Sequence, residues 1–165
     1  MLNVLLTNDD GIEAEGLQAM RAALRDLEGV RLAVIAPDGN RSAMARSITT
    51  RRPLWVQEVD FGDGTVGYAT DGTPVDCVRL ARLGLVEGFD AELVVSGINH
   101  GSNLGDDISY SGTVAAALEA IVLGLPEIQK SYMGAVLSGR CLTEEQSKTR
   151  ECSLPAVPTP PPGSR

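Results

Sequence analysis

The fold of this chain is decided by the stretch Asn3-Val4-Leu5-Leu6-Thr7-Asn8-Asp9-Asp10-Gly11. Its apolar run, residues 4–6, is typical of a buried strand in a parallel sheet. The polar end of the stretch therefore falls at the carboxyl end of that strand, where open α/β sheets bind their ligands. The adjacent carboxylates of Asp9 and Asp10 repel each other, and a hard divalent cation would relieve that repulsion. The same residues also suit an Asx-rich turn before a helix, and the stretch alone does not separate the two interpretations.

Strands and helices alternate from this stretch to residue 126. Apolar residues recur at helical spacing in some segments, and short β-branched runs fill others. The turn sequence Asp60-Phe61-Gly62-Asp63-Gly64 predicts a peripheral β-hairpin. Together these patterns predict an α/β fold with a doubly wound, mostly parallel sheet. The predicted strands span residues 4–6, 30–36, 48–59, 66–69 and 93–95, and the predicted helices span 17–27, 73–83 and 112–123.

The composition narrows the classes of function. The chain has 165 residues, of which 43% are hydrophobic, and this is enough for one domain with a core. No apolar run approaches transmembrane length and no signal peptide is recognisable, so we expect a cytoplasmic protein without a membrane partner. The net charge of −8 argues against binding to a nucleic-acid polymer, although a small anionic substrate remains compatible with it. The three cysteines show neither zinc-ligand nor disulfide spacing.

Oxygen donors follow three of the predicted strands. Asp9 and Asp10 follow the first strand, Ser42 follows the second, and Asn99 follows the strand at 93–95. Carboxylate, hydroxyl and amide oxygens suit Mg²⁺, Mn²⁺ or Ca²⁺ better than zinc. Because the carboxyl ends of parallel strands share one edge of the sheet, these residues predict a cation site there.

A second group of polar residues precedes the alanine-rich helix. The sequence Ser109-Tyr110-Ser111-Gly112-Thr113 offers hydroxyls and free backbone N–H groups at a helix start, which suit a phosphate. An ordinary Ser or Thr cap is the alternative interpretation. Asn103 lies just upstream and is positioned to line the same pocket. His100, the one histidine, is either a proton donor to a leaving oxygen or a solvated side chain.

Other phosphate-handling α/β folds agree less well with the sequence. The P-loop pattern is absent, and no Gly-rich dinucleotide fingerprint follows the first strand. A receiver-like signalling domain needs an acceptor aspartate after its third strand, but the strand at 93–95 ends in Ser96-Gly97. Haloacid-dehalogenase-like phosphatases need a D-x-D pair, whereas Asp9 and Asp10 are adjacent.

Several motifs, in order along the chain, point to one known family. They are Thr7-Asn8-Asp9-Asp10-Gly11-Ile12, Ala36-Pro37-Asp38 with Arg41-Ser42-Ala43, Ser47-Ile48-Thr49, Gly72-Thr73-Pro74 with Asp76-Cys77, Ser96-Gly97-Ile98-Asn99, and Tyr110-Ser111-Gly112-Thr113-Val114. With these motifs the chain resembles the SurE family of metal-dependent phosphatases, also called survival protein E or 5′/3′-nucleotidases. The resemblance covers residues 1–126 and is specific, because several of the motifs are long.

The resemblance implies a Rossmann-like fold and one divalent cation per subunit, Mg²⁺ or Mn²⁺, with Ca²⁺ as a further candidate. It implies that Asp9, Asp10, Ser42 and Asn99 hold this cation, and that Asp9 and Asp10 are catalytic. The implied reaction is hydrolysis of a nucleoside monophosphate or another small phosphomonoester by water, with Asp9 as an acid or base or as the attacking group. Family members form homodimers or tetramers. The implied phosphate- and substrate-binding residues are Asn8, Asn103, Ser109, Ser111, Gly112 and Thr113.

The segment 127–165 departs from the family pattern. A buried parallel strand is expected directly after Gly124-Leu125-Pro126, but no long apolar run follows and the end of the chain is rich in proline. We therefore expect a SurE-like domain at 1–126 that lacks the C-terminal part of the family fold, and a divergent, largely disordered tail at 127–165. Loss of the next strand would expose an edge of the sheet. The alternative function is a non-catalytic remnant that binds metal and phosphate or self-associates.

Overall fold

The structure is a computed structural model and describes residues 1–131. These residues form six strands, three α-helices and one 3₁₀ helix. The strands are β1 (Leu2–Thr7), β2 (Val30–Pro37), β3 (Val56–Asp60), β4 (Val66–Thr70), β5 (Leu93–Asn99) and β6 (Glu127–Ser131). The helices are α1 (Glu15–Arg25), α2 (Pro74–Arg82) and α3 (Gly112–Val122), and the 3₁₀ helix is Gly105–Ser109.

All six strands form one sheet, in the order β3-β4-β2-β1-β5-β6. β1 lies between β2 and β5 and is parallel to both, as its apolar run predicts. The antiparallel pairing is that of β3 with β4, and β4 in turn lies parallel to β2. The structure therefore confirms the predicted α/β fold with a mostly parallel sheet and a peripheral hairpin.

Helices cover both faces of the sheet. Successive residues of β1 point to opposite faces, and because both sets are apolar, each face packs against helices. Leu5 packs in one apolar cluster with residues of α2 and α3, including Val78 and Ala116. Val4 and Leu6 pack in a second cluster with residues of α1, including Leu17. No helix within residues 1–131 is long and apolar enough to cross a membrane.

The hairpin is shorter than the sequence predicted. The predicted strand began at residue 48, but β3 begins at Val56. Pro53, which lacks a backbone N–H, lies in the irregular segment before it. The turn of the hairpin is tied to α1, because the Asp63 carboxylate pairs with Arg21 at 2.7 Å and with Arg25 at 2.6 Å.

The structure corrects the expected end of the sheet at residue 126. Glu127–Ser131 forms β6, which pairs with β5 in parallel, with Ile128 opposite Val95. Its residues alternate between half-buried and exposed positions, and Ile128 is 53% exposed, because β6 lies at the edge of the sheet that residues 1–131 form. Such a strand lacks the continuous apolar run of a buried one, and this is why the sequence pattern missed it. Of the tail at 127–165 that was expected to be largely disordered, residues 127–131 therefore form a strand, and residues 132–165 lie outside the described part of the chain.

Candidate metal and phosphate site

A cavity of about 360 Å³ lies at the edge of the sheet where the parallel strands end. All four residues of the predicted cation site, Asp9, Asp10, Ser42 and Asn99, line it. Of the predicted phosphate-binding residues, Asn103 and Ser111 also line it. The structure thus brings together side chains from the loops after β1, β2 and β5, as the parallel arrangement of these strands requires.

Asp9 is the most enclosed residue of the site, with 3% of its surface exposed. Both carboxylate oxygens accept hydrogen bonds from the start of α3: Oδ1 from the Thr113 hydroxyl at 2.5 Å and Oδ2 from the Gly112 N–H at 3.1 Å. A side chain at position 112 would have its Cβ only 2.6 Å from the Asp9 Cβ, so this close approach requires glycine. These contacts fix the Asp9 carboxylate before any ligand binds.

Asp10 occupies a less enclosed position beside Asp9. Its Oδ2 accepts a hydrogen bond from the His100 backbone N–H at 2.7 Å, and its Oδ1 lies 3.4 Å from Nδ2 of Asn40. Burial raises the pKa of the Asp10 carboxyl above its usual value, and the Asp9 carboxylate raises it further, while the His100 N–H acts in the opposite direction. A cation between the two carboxylates would favour the charged form of Asp10.

Ser42, in the loop after β2, and Asn99, the last residue of β5, complete the predicted donor set. The segment that contains Ser42 is joined to the loop after β1 by the Arg41 N–H, which donates to the Asp9 carbonyl at 2.6 Å. Asn99 donates from Nδ2 to the Gly101 carbonyl at 2.8 Å. This hydrogen bond orients the side-chain amide, and Oδ1 is the atom of that amide with lone pairs for a cation.

The predicted phosphate-binding residues separate into three groups, of which the first lines the cavity and the second contacts Asp9. Ser111 caps α3 by accepting from the Val114 N–H at 3.2 Å, so its own O–H stays free to donate toward the cavity that it lines. Asn103 lines the same cavity and is tethered to β6 by a 2.9 Å hydrogen bond to the Ser131 hydroxyl. Gly112 and Thr113 instead contact Asp9, because a buried carboxylate needs donors.

Asn8 and Ser109 do not line the cavity. Asn8 is completely buried, and its side chain forms a turn with Gly11, accepting from the N–H at 3.2 Å and donating to the carbonyl at 3.0 Å. Ser109 donates to the Asp106 carbonyl within the 3₁₀ helix. The structure therefore shows the expected turn at Asn8, while Asp9 and Asp10 line the cavity, where the cation site stays a prediction.

The chemistry of the donor set agrees with a hard divalent cation. Two carboxylates, one hydroxyl and one amide oxygen are donors of the kind that Mg²⁺ and Mn²⁺ prefer. Within residues 1–131, no group of three or more His, Cys, Asp and Glu side chains is placed to hold a metal ion. A site of the zinc type, built from imidazoles and thiolates, is therefore not found in the described part of the chain.

Seven residues line the cavity besides the predicted ligands, among them His100, which the sequence left open as a proton donor or a solvated side chain. Each of them lies within a few residues of a predicted ligand, and nearness in sequence was the signal that could have found them. The Tyr110 ring is largely exposed at the cavity, beside Ser111. The additional lining residues are Asn40, Ala43, His100, Gly101, Ser102, Asp107 and Tyr110.

Comparison with known proteins places this arrangement in a family. The sequence model described as "Survival protein SurE" matches residues 4–154, and so extends beyond the resemblance found at 1–126. The chain is 62% identical over 130 residues to the 5′-nucleotidase SurE of Rubrobacter xylanophilus, covering 79% of this chain and 48% of the relative. It is 53% identical over 127 residues to the 5′-nucleotidase SurE of Kosmotoga olearia, covering 77% of this chain and 49% of the relative.

The fold agrees with that of a solved relative. The crystal structure of the SurE protein from Aquifex aeolicus matches with a TM-score of 0.70 and 44% sequence identity, covering 80% of this chain and 51% of that one. The chain therefore spans about half the length of the relatives that it matches. Sequence, fold and family model agree, and the chain belongs to the SurE family.

Proposed function

We propose that this chain contributes the active site of a phosphatase that hydrolyses nucleoside 5′- or 3′-monophosphates to nucleoside and phosphate, with Mg²⁺ or Mn²⁺ as cofactor. The observation that carries the proposal is the convergence of Asp9, Asp10, Ser42 and Asn99 on one cavity. The name 5′-nucleotidase SurE, which the curated relatives share, supports the same class of reaction. Because the chain spans about half the length of those relatives, its activity by itself is part of the proposal.

The four donors would hold the cation through oxygen atoms alone. When bound, it would supply positive charge that offsets the phosphate and favours attack by water. Asp9 is suited to hold a cation because Thr113 and Gly112 fix its carboxylate, so little conformational freedom is lost on binding. The charged form of Asp10, disfavoured by burial, would be favoured by the same cation.

The residues on the other side of the cavity suit the phosphate. The free O–H of Ser111 and the side-chain amide of Asn103 can donate hydrogen bonds to phosphate oxygens. The N-terminus of α3, which begins at Gly112, adds the positive end of a helix dipole. Asp9, besides holding the cation, would assist the reaction as a positioned acid or base.

The test is phosphate release from 5′-AMP and 3′-AMP by the purified 165-residue chain, with Mn²⁺ or Mg²⁺ present. We expect turnover that EDTA abolishes and that Asp9→Asn lowers by about 10²- to 10⁴-fold, the range for loss of a positioned acid or base. Asp106→Asn is the matched control, because Asp106 is an exposed acid in the adjacent 3₁₀ helix that does not line the cavity. This control should keep wild-type turnover.

Two results would contradict the proposal in different ways. Turnover that persists in EDTA, or that Asp9→Asn leaves unchanged, would exclude the metal-dependent reaction at this site. A chain without turnover whose melting temperature still rises with Mn²⁺ and inorganic phosphate would favour the alternative, a binding remnant without catalysis.

A further inference from the structure

Ser42 lines the cavity and belongs to the segment 40–47, a connection without helix or strand that contains two turns. Two of its residues, Ala43 and Ala45, have φ angles of 59° and 50°. This left-handed region is disfavoured for residues with a side chain, so the backbone does not adopt it without compensating contacts. The position of Ser42 therefore depends on the contacts that hold the segment in place.

Backbone contacts hold the segment at several points. The Arg41 N–H donates to the Asp9 carbonyl at 2.6 Å, and the Ala45 N–H donates to the Tyr110 carbonyl at 3.1 Å. At the far end, the Ser47 carbonyl accepts from the Thr73 hydroxyl at 2.8 Å. These bonds connect the segment to the loop after β1, to the residue before the α3 cap and to the cap of α2.

One ion pair joins the segment to the interior of the protein. Nη2 of Arg46 lies 2.9 Å from Oε2 of Glu119, a completely buried residue of α3. The other carboxylate oxygen of Glu119 is paired with Nε of Arg79, on α2, at 2.8 Å. The two arginines have equal exposure, 45% for the Arg46 side chain and 44% for that of Arg79, so they differ mainly in the element that each one anchors.

We propose that Arg46 is a positioning residue for the cavity: its ion pair with Glu119 fixes the segment 40–47 on α3. Helix α3 also fixes Asp9 through Gly112 and Thr113, so one helix sets the position of both Asp9 and Ser42. Arg46 does not line the cavity and acts only through the segment. The effect on turnover rests on the proposed phosphatase function, while the effect on the segment does not.

The experiment compares Arg46→Met with Arg79→Met in the full 165-residue chain. Both variants remove one positive charge and one partner of Glu119, but only the first releases the segment 40–47. Hydrogen exchange measured by mass spectrometry reports on the amides of Arg41 and Ala45, which are protected by their bonds to Asp9 and Tyr110. We expect exchange in peptides covering 40–47 to become about tenfold faster in Arg46→Met and to stay unchanged in Arg79→Met, since one charge-assisted contact corresponds to about this factor.

Binding and turnover supply two further measurements. The dissociation constant for Mn²⁺, from the paramagnetic resonance of the free ion, should rise by about tenfold or more in Arg46→Met, the size of effect seen when a supporting contact of a metal ligand is lost. Arg46→Lys, which keeps the charge and can make a single N···O contact, should recover most of this loss, and Arg79→Met should bind as the wild type does. With AMP, kcat should fall in Arg46→Met more than in Arg79→Met.

Equal effects of Arg46→Met and Arg79→Met on exchange and on Mn²⁺ binding would overturn the proposal, because both would then act through stability alone. An exchange rate in Arg46→Met equal to that of the wild type would also overturn it. If the wild-type chain shows no turnover, the proposed phosphatase function fails, while the exchange and Mn²⁺ measurements still decide the role of Arg46. Melting curves identify a variant that does not fold, and Arg46→Gln, which removes the charge but keeps a polar side chain, then takes the place of Arg46→Met in the comparison.

Discussion

The Thr113 hydroxyl donates a 2.5 Å hydrogen bond to Oδ1 of Asp9 and so joins two residues that lie 104 positions apart in the chain. Both residues are buried, Thr113 completely. The bond connects the carboxyl end of β1 with the first turn of α3, so the orientation of the carboxylate depends on the docking of that helix. Loss of the hydroxyl would leave a buried carboxylate oxygen without this donor, which costs free energy.

Thr113→Val tests this dependence with a side chain of nearly the same shape. We expect the free energy of unfolding to fall by about 1–3 kcal/mol, the cost of an unsatisfied buried acceptor. Mn²⁺ affinity should fall by about 10- to 100-fold, as for other lost partners of metal ligands. Urea unfolding and calorimetric titration measure the two effects. Thr113→Ser keeps the hydroxyl and is the control, and a valine variant that binds Mn²⁺ as tightly as the wild type would contradict the prediction.

Gly112→Ala tests the close approach of α3 to Asp9. The added Cβ would lie 2.6 Å from the Asp9 Cβ and 3.1 Å from the Pro74 Cγ, so the helix start or Asp9 must move. Overpacking of this kind costs about 1–3 kcal/mol of stability, and Mn²⁺ binding should weaken with it. Gly39→Ala is the matched control, because no atom lies closer than 3.8 Å to its added Cβ. Equal melting temperatures for the two alanine variants would refute the steric argument.

The Glu119 ion pairs predict a dependence of stability on pH. Burial alone would raise the pKa of Glu119, but the hydrogen bonds from Arg46 and Arg79 outweigh it and hold the pKa below its usual value. Because the folded-state pKa is the lower one, the pairs stabilise the fold above the unfolded-state pKa of about 4.3, and this stabilisation is lost as the pH falls through the folded-state pKa.

Glu119→Gln isolates this contribution from that of the other carboxylates. The difference in free energy of unfolding between wild type and Glu119→Gln should be constant between about pH 6 and pH 8, and should narrow as the pH falls below about 4. Urea unfolding at each pH measures the difference. If the difference in free energy of unfolding stays constant down to the lowest pH at which the wild type folds, Glu119 is not held as a paired carboxylate.

Cys77 should be inert in the folded protein. Its side chain is completely buried, and burial raises the pKa of its thiol to about 12, so almost no reactive thiolate exists at neutral pH. Peptide mapping after treatment with iodoacetamide should therefore find Cys77 unmodified in the native chain and modified in guanidinium chloride. Modification of Cys77 at equal rates in both conditions would contradict the burial of this thiol.

Much of the site could be predicted because its chemistry is local in sequence. A short apolar run followed by two acids is enough to predict a strand and a polar end at the binding edge. The loops that contain Ser42 and Asn99 were recognised by the same logic, since each follows another predicted strand. The structure confirms the α/β fold and brings all four oxygen donors to one cavity.

The remaining features depend on neighbours that are distant in the chain. β6 was missed because an edge strand needs only one partner and so carries polar residues that no buried strand would have. Gly112 and Thr113 were expected at the phosphate, and only the docking of α3 beside β1 shows that they contact Asp9.

The sequence by itself determined the family and the order of the strands and helices up to residue 126, and it predicted the oxygen donors of the site, because each of these is a pattern of adjacent or periodically spaced residues. Only the tertiary structure decided which groups hold those donors in place. The bond from Thr113 to Asp9 and the ion pair between Arg46 and Glu119 join residues that lie far apart in the chain. Such contacts exist only after the helices have packed on the sheet, because packing brings the partners within hydrogen-bond distance.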